Sequence, residues 1–466
     1  MRKQTKLVAV LSATALLAIG AAMTSFAATG WVDEGGQWVY YDKDGDTVTN
    51  EWKKSGDDWY YLDEDGYMAT EKIIDDIYYV DASGKMVKNQ WKEVSEILDD
   101  FDSSDPDAKD SVWYYFQSTG KAVESGWKSI NGFWYYFNGY EMQTGWQTEI
   151  DDETYYLGGD DDGAMQTGWQ YLEPADSDDA TSPSDSENWY YFGTNGKMVH
   201  SKVDKKVNGK YYTFDENGVM LSGWVYTGDW AADGAVATTT PVADDDVDTA
   251  SASDANKITS YKYYGEEEDG SRQAGWLKIQ PAKGVNDTDS TYWFYFSSGK
   301  AKYSKYDGEN DILTINGKKY AFNDLGQMQA GDKVVTVHAS ASASDATTNI
   351  YYFGASTDGS MKTGKQKVYI DAEGETYSYY FATSGKYKGQ AYVGEKDGYL
   401  YNEKGRLQEA SSDLKYEPVE YKGQRYLVNT SGKIMKSSSA SKTKEYKDKD
   451  GVIYTVDEKG HIVGEK

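Results

Sequence analysis

Recurring Trp and Tyr are the residues of this sequence best suited to chemistry, and what they suit is recognition rather than bond-making. The runs Trp59-Tyr60-Tyr61-Leu62, Trp134-Tyr135-Tyr136-Phe137 and Trp189-Tyr190-Tyr191-Phe192 repeat one pattern among 15 Trp and 43 Tyr in 466 residues. An aromatic face offers its quadrupole to a cation and a flat apolar surface to a sugar ring. Groups for catalysis are poorly gathered. His200, His338 and His461 stand apart, with no nucleophile motif and no Gly-rich phosphate loop near them. The absence of Cys excludes disulfides, thiolate metal sites and a thiol nucleophile. The acidic runs Asp176 to Asp179 and Asp244 to Asp246 lack the spacing of a calcium loop and read as solvated loops. Asp42, Asp44 and Asp46 read as turn formers. Neither enzyme activity, a cofactor nor a metal is expected.

Charge narrows the partners further. Lys and Arg number 48 against 77 Asp and Glu, a formal charge of −29. Nucleic acid and anionic membrane surfaces need basic patches, so both are disfavoured, while cations and neutral sugars stay open.

The elements that must position these rings are short strands. Self-similarity recurs at about 20 residues, the signature of a quasi-one-dimensional array. Each unit carries a Gly-Trp, a four-residue aromatic strand, a turn with Asp, Asn or Ser before Gly, and a short strand that often holds Met. The aromatic strand, the turn and the strand after it read as a β-hairpin. About sixteen such units follow one another, and because a lone hairpin is marginal in water each must stack on its neighbours. The predicted fold is all-β: an elongated β-solenoid of stacked hairpins.

Counting back from the turn Gly separates two faces. Trp189 and Tyr191 share one side of their strand, Tyr190 and Phe192 the other. In late repeats the four positions read Gly398-Tyr399-Leu400-Tyr401, Arg425-Tyr426-Leu427-Val428 and Ile453-Tyr454-Thr455-Val456. The second and fourth positions stay apolar throughout, and the first and third do not. The second and fourth are therefore expected to form the core, and the Trp/Tyr face to serve something besides stacking. All Trp lie between Trp31 and Trp293, so residues 28–300 read as Trp-rich repeats and 301–466 as degenerate Tyr-rich ones. Insertions at 95–111, 173–188, 231–260, 281–290 and 339–348, rich in Asp, Ser, Ala and Thr, read as solvated loops from one side of the array.

The amino terminus reads as a targeting segment. Arg2, Lys3 and Lys6 precede an apolar run over 7–23, and Ser25-Phe26-Ala27 fits the small-x-small cleavage rule. Residues 1–27 are expected to be a secretory signal peptide; losing its three positive charges takes −29 to −32. No second apolar run of spanning length follows, so a secreted, wall-associated protein with no membrane span after cleavage is expected.

The repeat made of Gly126-Trp127, Trp134-Tyr135-Tyr136-Phe137, Asn138-Gly139 and Met142-Gln143-Thr144-Gly145-Trp146 resembles the choline-binding, or cell-wall-binding, repeat of Gram-positive surface proteins. Similar repeats occur in glucan-binding glucosyltransferases and in the receptor-binding ends of clostridial toxins. The resemblance covers nearly the whole chain, strongly from Trp31 to Trp276 and weakly after Trp293. It implies sites between consecutive hairpins, each of two Trp and a Tyr closed by a Met, holding the choline of teichoic acid. Carried onto this chain, the implied ligand residues are Trp31, Trp38, Tyr40, Trp52, Trp59, Tyr61 and Met68; then Trp113, Tyr115, Trp127, Trp134, Tyr136, Met142 and Trp146; and a partial set of Trp169, Trp189, Tyr191 and Met198. Thr154 and Ile77 stand where Trp is expected, so no full cage is assigned there. A quaternary ammonium donates no classical hydrogen bond and depends on such rings, whose contacts of about 0.5–2 kcal/mol each make a single cage weak and an array retentive. The implied partner is choline-bearing teichoic acid or another wall polymer. Glucan or exopolysaccharide is the alternative for the same rings, and a structural adhesin stalk the second.

Overall fold

Asn131 and Gly132 both take positive φ, 52° and 89°, which makes the link between strands Gly126–Ile130 and Phe133–Asn138 a type I′ turn whose twist suits paired strands. The structure is a computed structural model that describes residues 29–94, 111–159, 162–175, 187–227, 257–283, 285–286, 288–305, 311–330, 334–338 and 348–466. Among the described residues the chain forms sixteen separate antiparallel sheets of two or three strands and a single short 3-10 turn, Ile258–Ser260. The all-β expectation and the small-hairpin architecture hold. Two compact units divide the chain, residues 1–199 and 200–466. The signal segment and the acidic runs Asp176 to Asp179 and Asp244 to Asp246 lie outside the described residues. No helix among the described residues is long and apolar enough to cross a membrane.

The pairing inside each repeat differs from the sequence expectation. The long ladder joins the aromatic strand to the Gly-Trp strand before it: Trp127 opposes Tyr136, and Ser129 opposes Trp134. The segment after the Gly turn pairs only briefly, as Phe137 with Met142, Leu62 with Met68 and Phe192 with Met198. The predicted tight turn is present, but its backbone is satisfied within the turn: Asp63 Oδ1 accepts from the amides of Asp65 and Tyr67 at 3.1 and 2.9 Å, and Asp42 does the same for Asp44 and Asp46. These acids are turn formers. Little chain remains after the turn to extend a ladder.

Consecutive hairpins are joined through the Met position. The amide of Met68 donates to the Trp38 carbonyl at 2.7 Å, Met86 to Trp59 at 2.8 Å and Met165 to Trp134 at 2.8 Å. In the second unit Met361 donates to Lys319, Leu407 to Ser378 and Ile434 to Gly398, each at 2.8 Å. Each such side chain then lies against the turn Gly of the following repeat. Gly84 has φ +77°, and a Cβ there would stand 2.7 Å from Met68 Sδ. The turn thus needs Gly twice, for its backbone and for this approach.

In the first unit the core follows the two-face expectation. Tyr60, Leu62, Tyr114, Phe116, Tyr135, Phe137, Tyr190 and Phe192, all second or fourth positions, are buried. In the second unit it fails at specific places. The third-position residues Leu400 and Leu427 are fully buried, whereas Tyr399 and Tyr426 are half-buried. Leu400 packs with Val428 and Ile434 of the next hairpin. No Trp opposes either Leu, since Glu395 and Pro418 hold those register positions. A purely apolar side chain without a ring across the ladder gains by being covered.

The insertions occupy one structural place. Val94 opposes Val112, Leu172 opposes Asn188, Tyr226 opposes Tyr261, Ile279 opposes Tyr292 and His338 opposes Thr348. The strand ends that flank each insertion in sequence therefore face each other across a ladder, as Ile130 and Phe133 do around Asn131-Gly132.

Candidate aromatic sites between hairpins

Where a hairpin carries a tryptophan opposite its third-position Tyr, that ring meets one or two partners. One is the third-position Tyr across its own ladder: Trp31 with Tyr40 at 5.4 Å, Trp52 with Tyr61 at 5.2 Å, Trp127 with Tyr136 at 5.2 Å and Trp169 with Tyr191 at 5.1 Å between centroids. The other belongs to the next hairpin: Trp31 meets Tyr60 at 5.3 Å, Trp52 meets Tyr78 at 5.3 Å, Trp127 meets Tyr155 at 4.9 Å and Trp146 meets Tyr190 at 4.9 Å. Most of these pairs are edge-on, the arrangement rings prefer. Each contact of the second kind spans a boundary between repeats, so an aromatic site is complete only when two hairpins stack.

The predicted residues are brought together as follows. Trp31, Tyr40 and Tyr60 form one set, with Met68 hydrogen-bonded to the backbone of Trp38; Lys53 Nζ already faces the Tyr40 ring at 5.3 Å. Trp52 and Tyr61 pack with Tyr78, and Met86 is bonded to the backbone of Trp59, whose side chain is 36% exposed. Trp113, Tyr115 and Met142 share one apolar cluster. Trp127 and Tyr136 pack with Met165, with Trp134 beside them on the strand and 48% exposed. Trp169 contacts both Trp189 and Tyr191, with Tyr171 added at 5.1 Å from Trp189.

Met198 does not join that last set. Its amide donates to Thr154, in the preceding hairpin. Trp146 there has Tyr156 and Tyr190 but no first-position Trp. At Ile77 the set is likewise incomplete: Ile73 and Tyr79 pack under Tyr114 and Phe116, and Lys92 Nζ lies 5.5 Å over Tyr79.

Four members were missed by reading sequence alone: Trp91, Met165, Trp276 and Trp293. Trp91 opposes Tyr115 and lies 4.9 Å from Tyr135; its aromatic strand is separated from it by the 95–111 insertion, which hid the pairing. Met165 follows an irregular turn. Trp276 and Trp293, in the second unit, line a cavity of 330 Å³ with Tyr320, Met328, Thr357 and Asp358, and Trp276 also meets Tyr295 and Tyr320 at 5.1 and 4.7 Å. Two Trp, a Tyr and the Met of the next hairpin meet there. Its signal was present in Gly275-Trp276 and Trp293-Phe294-Tyr295-Phe296.

The electrostatics keep these rings neutral. Burial pushes the Tyr114 phenol up to about 12 and raises Tyr60 and Tyr155, so they act as faces, not anions. Beside the 330 Å³ cavity, the Lys362 ammonium holds the Asp358 carboxyl below its usual range. Among the described residues no three His, Asp or Glu gather as a metal site. His461 is used structurally, with Nδ1 3.2 Å from Asp457 and its ring against Tyr426.

Hairpins whose rings converge at several junctions make a repeat-built array. Residues 46–86 match the family model described as "Choline-binding repeat", and residues 144–165 and 184–198 match the one described as "Putative cell wall binding repeat"; these segments of the chain are repeats of those two kinds. It is similar to glucosyltransferase-S of Streptococcus mutans serotype c, 25% identical over 284 residues, 54% of this chain but only 16% of that protein. Among solved structures it is similar to choline binding protein F of Streptococcus pneumoniae, with TM-score 0.41, 21% identity, and coverage of 73% of this chain and 99% of that one. The choline-binding domain of CbpL from the same organism gives TM-score 0.30, 27% identity, and coverage of 48% and 100%.

Proposed function

We propose that this protein is a secreted, non-catalytic surface protein, a β-solenoid whose aromatic junctions bind choline-substituted teichoic acid of the cell wall. The observation that carries the reading is the junction itself: two Trp and a Tyr from one hairpin are covered by a Tyr and the Met of the next, in a chain of strong negative charge. That composition suits a methylated cation, which needs ring faces and apolar contact rather than hydrogen-bond acceptors. One junction gives weak binding; several along a polymer raise retention through effective concentration. Trp276, Trp293, Tyr320 and Met328 extend the set of candidate junctions beyond the first unit. The later repeats, with Leu400 and Leu427 turned into the core, serve as spacer or as a separate surface.

The test is retention of the protein on an immobilised quaternary amine and elution by free choline. A second reading, glycan binding by the same rings, is supported by the similarity to glucosyltransferase-S. Failure to bind the amine, together with quenching of Trp fluorescence by a glucan oligosaccharide, decides for it. Loss of β structure on removing the half-exposed Trp134 alone decides for packing alone.

A further inference from the structure

Beyond the last Trp in sequence, the second unit holds a cleft of different chemistry. Its volume is 540 Å³, inside the range of about 300–1,000 Å³ usual for small-ligand sites. Tyr380, Tyr387, Tyr392 and Lys396 line it together with the polar side chains of Ser384 and Gln390. Tyr387 is 60% exposed and Tyr392 37%. Large rings left in water at the wall of a concavity are informative where scattered apolar residues are not.

Lys396 occupies the place where a cationic ligand would sit. Its Nζ lies 5.0 Å from the Tyr380 centroid and 5.1 Å from that of Tyr392, so the two rings already hold an ammonium. Its one carboxylate partner, Asp397 at 3.1 Å, has a side chain 78% exposed, and such a pair is weak in water. Lys386 sits 5.5 Å over the Tyr387 ring, and among the described residues neither Lys386 nor Lys388 forms an ion pair. Glu395 is turned to Lys436. In a chain of −29, the one charged side chain lining the cleft is a lysine, and Lys386 and Lys388 flank its Tyr387 in sequence.

We propose that this cleft binds an acidic saccharide: a pyranose ring stacked on Tyr387 and Tyr392, its acid group on the Lys396 ammonium and the flanking Lys386 and Lys388. A quaternary ammonium is excluded by the lysine already between the rings. A neutral sugar would leave the Lys396 ammonium at the cleft wall without use. Carboxylate and phosphate share the required chemistry.

Calorimetric titration of the full chain with trigalacturonic acid, its trimethyl ester, glucose 6-phosphate and glucose tests the assignment. The acid trimer binds at least tenfold more tightly than its ester, or glucose 6-phosphate at least tenfold more tightly than glucose; which acid wins assigns the group. Tyr387→Ala and Lys396→Met each weaken that binding about tenfold, with circular dichroism unchanged. The pair Lys386→Gln, Lys388→Gln weakens it and serves should either first variant fail to fold. Retention on a quaternary amine stays unchanged in all of them, which separates this site from the choline reading. Equal binding of acid and uncharged forms, no saturable binding of any acid sugar, or affinity untouched by the variants overturns the proposal.

Discussion

Trp91 and Tyr135 meet at 4.9 Å between ring centroids although 44 positions separate them in sequence and they belong to different hairpins. Trp91 also stacks on Phe137 at 5.7 Å. The same ring is thus a candidate ligand face on one side and a packing element on the other. Replacing a tryptophan in this position cannot leave the fold untouched, whereas one at the first position of the aromatic strand can be removed more cleanly.

Trp134→Ala is the cleaner probe of binding. At 48% exposure the ring contributes little to the core, so stability in urea should change by about 0.5 kcal/mol or less. Retention on an immobilised quaternary amine should fall by roughly the 0.5–2 kcal/mol of one cation–π contact. Trp127→Ala should lose both, with stability down by about 3 kcal/mol because its ring packs on Tyr155 as well as Tyr136. Equal stability losses in the two variants would contradict this division.

Gly84→Ala should be worse than Gly132→Ala. Both residues have positive φ, +77° and +89°, but only at Gly84 does a Cβ meet a neighbour, Met68 Sδ at 2.7 Å, while nothing lies within 4 Å at Gly132. The backbone term of about 1–3 kcal/mol is common to both, and overpacking adds about 1–3 kcal/mol at Gly84 alone. Adding Met68→Ala to Gly84→Ala should recover part of the second term and none of the first, as read by urea unfolding.

Alkaline pH should unfold the repeats from within. Burial pushes Tyr114 and Tyr263 up to about 12, against an ordinary value near 10. Between those values the unfolded chain has lost protons that the folded chain keeps, so stability is full below pH 10 and falls as pH rises toward 12. Ultraviolet titration of phenolate alongside circular dichroism should show late tyrosines ionising together with loss of β signal. Smooth ionisation of every Tyr near pH 10 with structure intact would refute it.

Acid acts at a different place. Hydrogen bonds from Arg406, at 2.7 Å to each oxygen, and from Tyr377 hold Glu373 down at about 2. Its contribution is present above the ordinary value near 4.5 and is lost as pH falls through about 2. Carbon NMR should place the Glu373 midpoint near 2, and Arg406→Gln should return it toward 4.5; an unchanged midpoint in the variant would remove Arg406 as the cause.

Periodicity was enough to show the all-β class, the number of repeats and, in the first unit, the core face, because an alternating strand exposes its two sides as two residue sets. Tyr60, Tyr114, Tyr135 and Tyr190 were legible in this way. It also read Asp42 as a turn former, and its carboxylate accepts from the amides of Asp44 and Asp46. Which residues share a junction was decided by the tertiary structure. Met142 sits with Trp113 of the hairpin before it, Met198 with Thr154, and Trp91 reaches across an insertion to Tyr115. The inward turn of Leu400 and Leu427, and the seat of Lys396 between two tyrosines, follow from what the neighbouring hairpin covers. A strand's own pattern records only its alternation; the partner that lies over it belongs to another repeat, and stacking brings the two together.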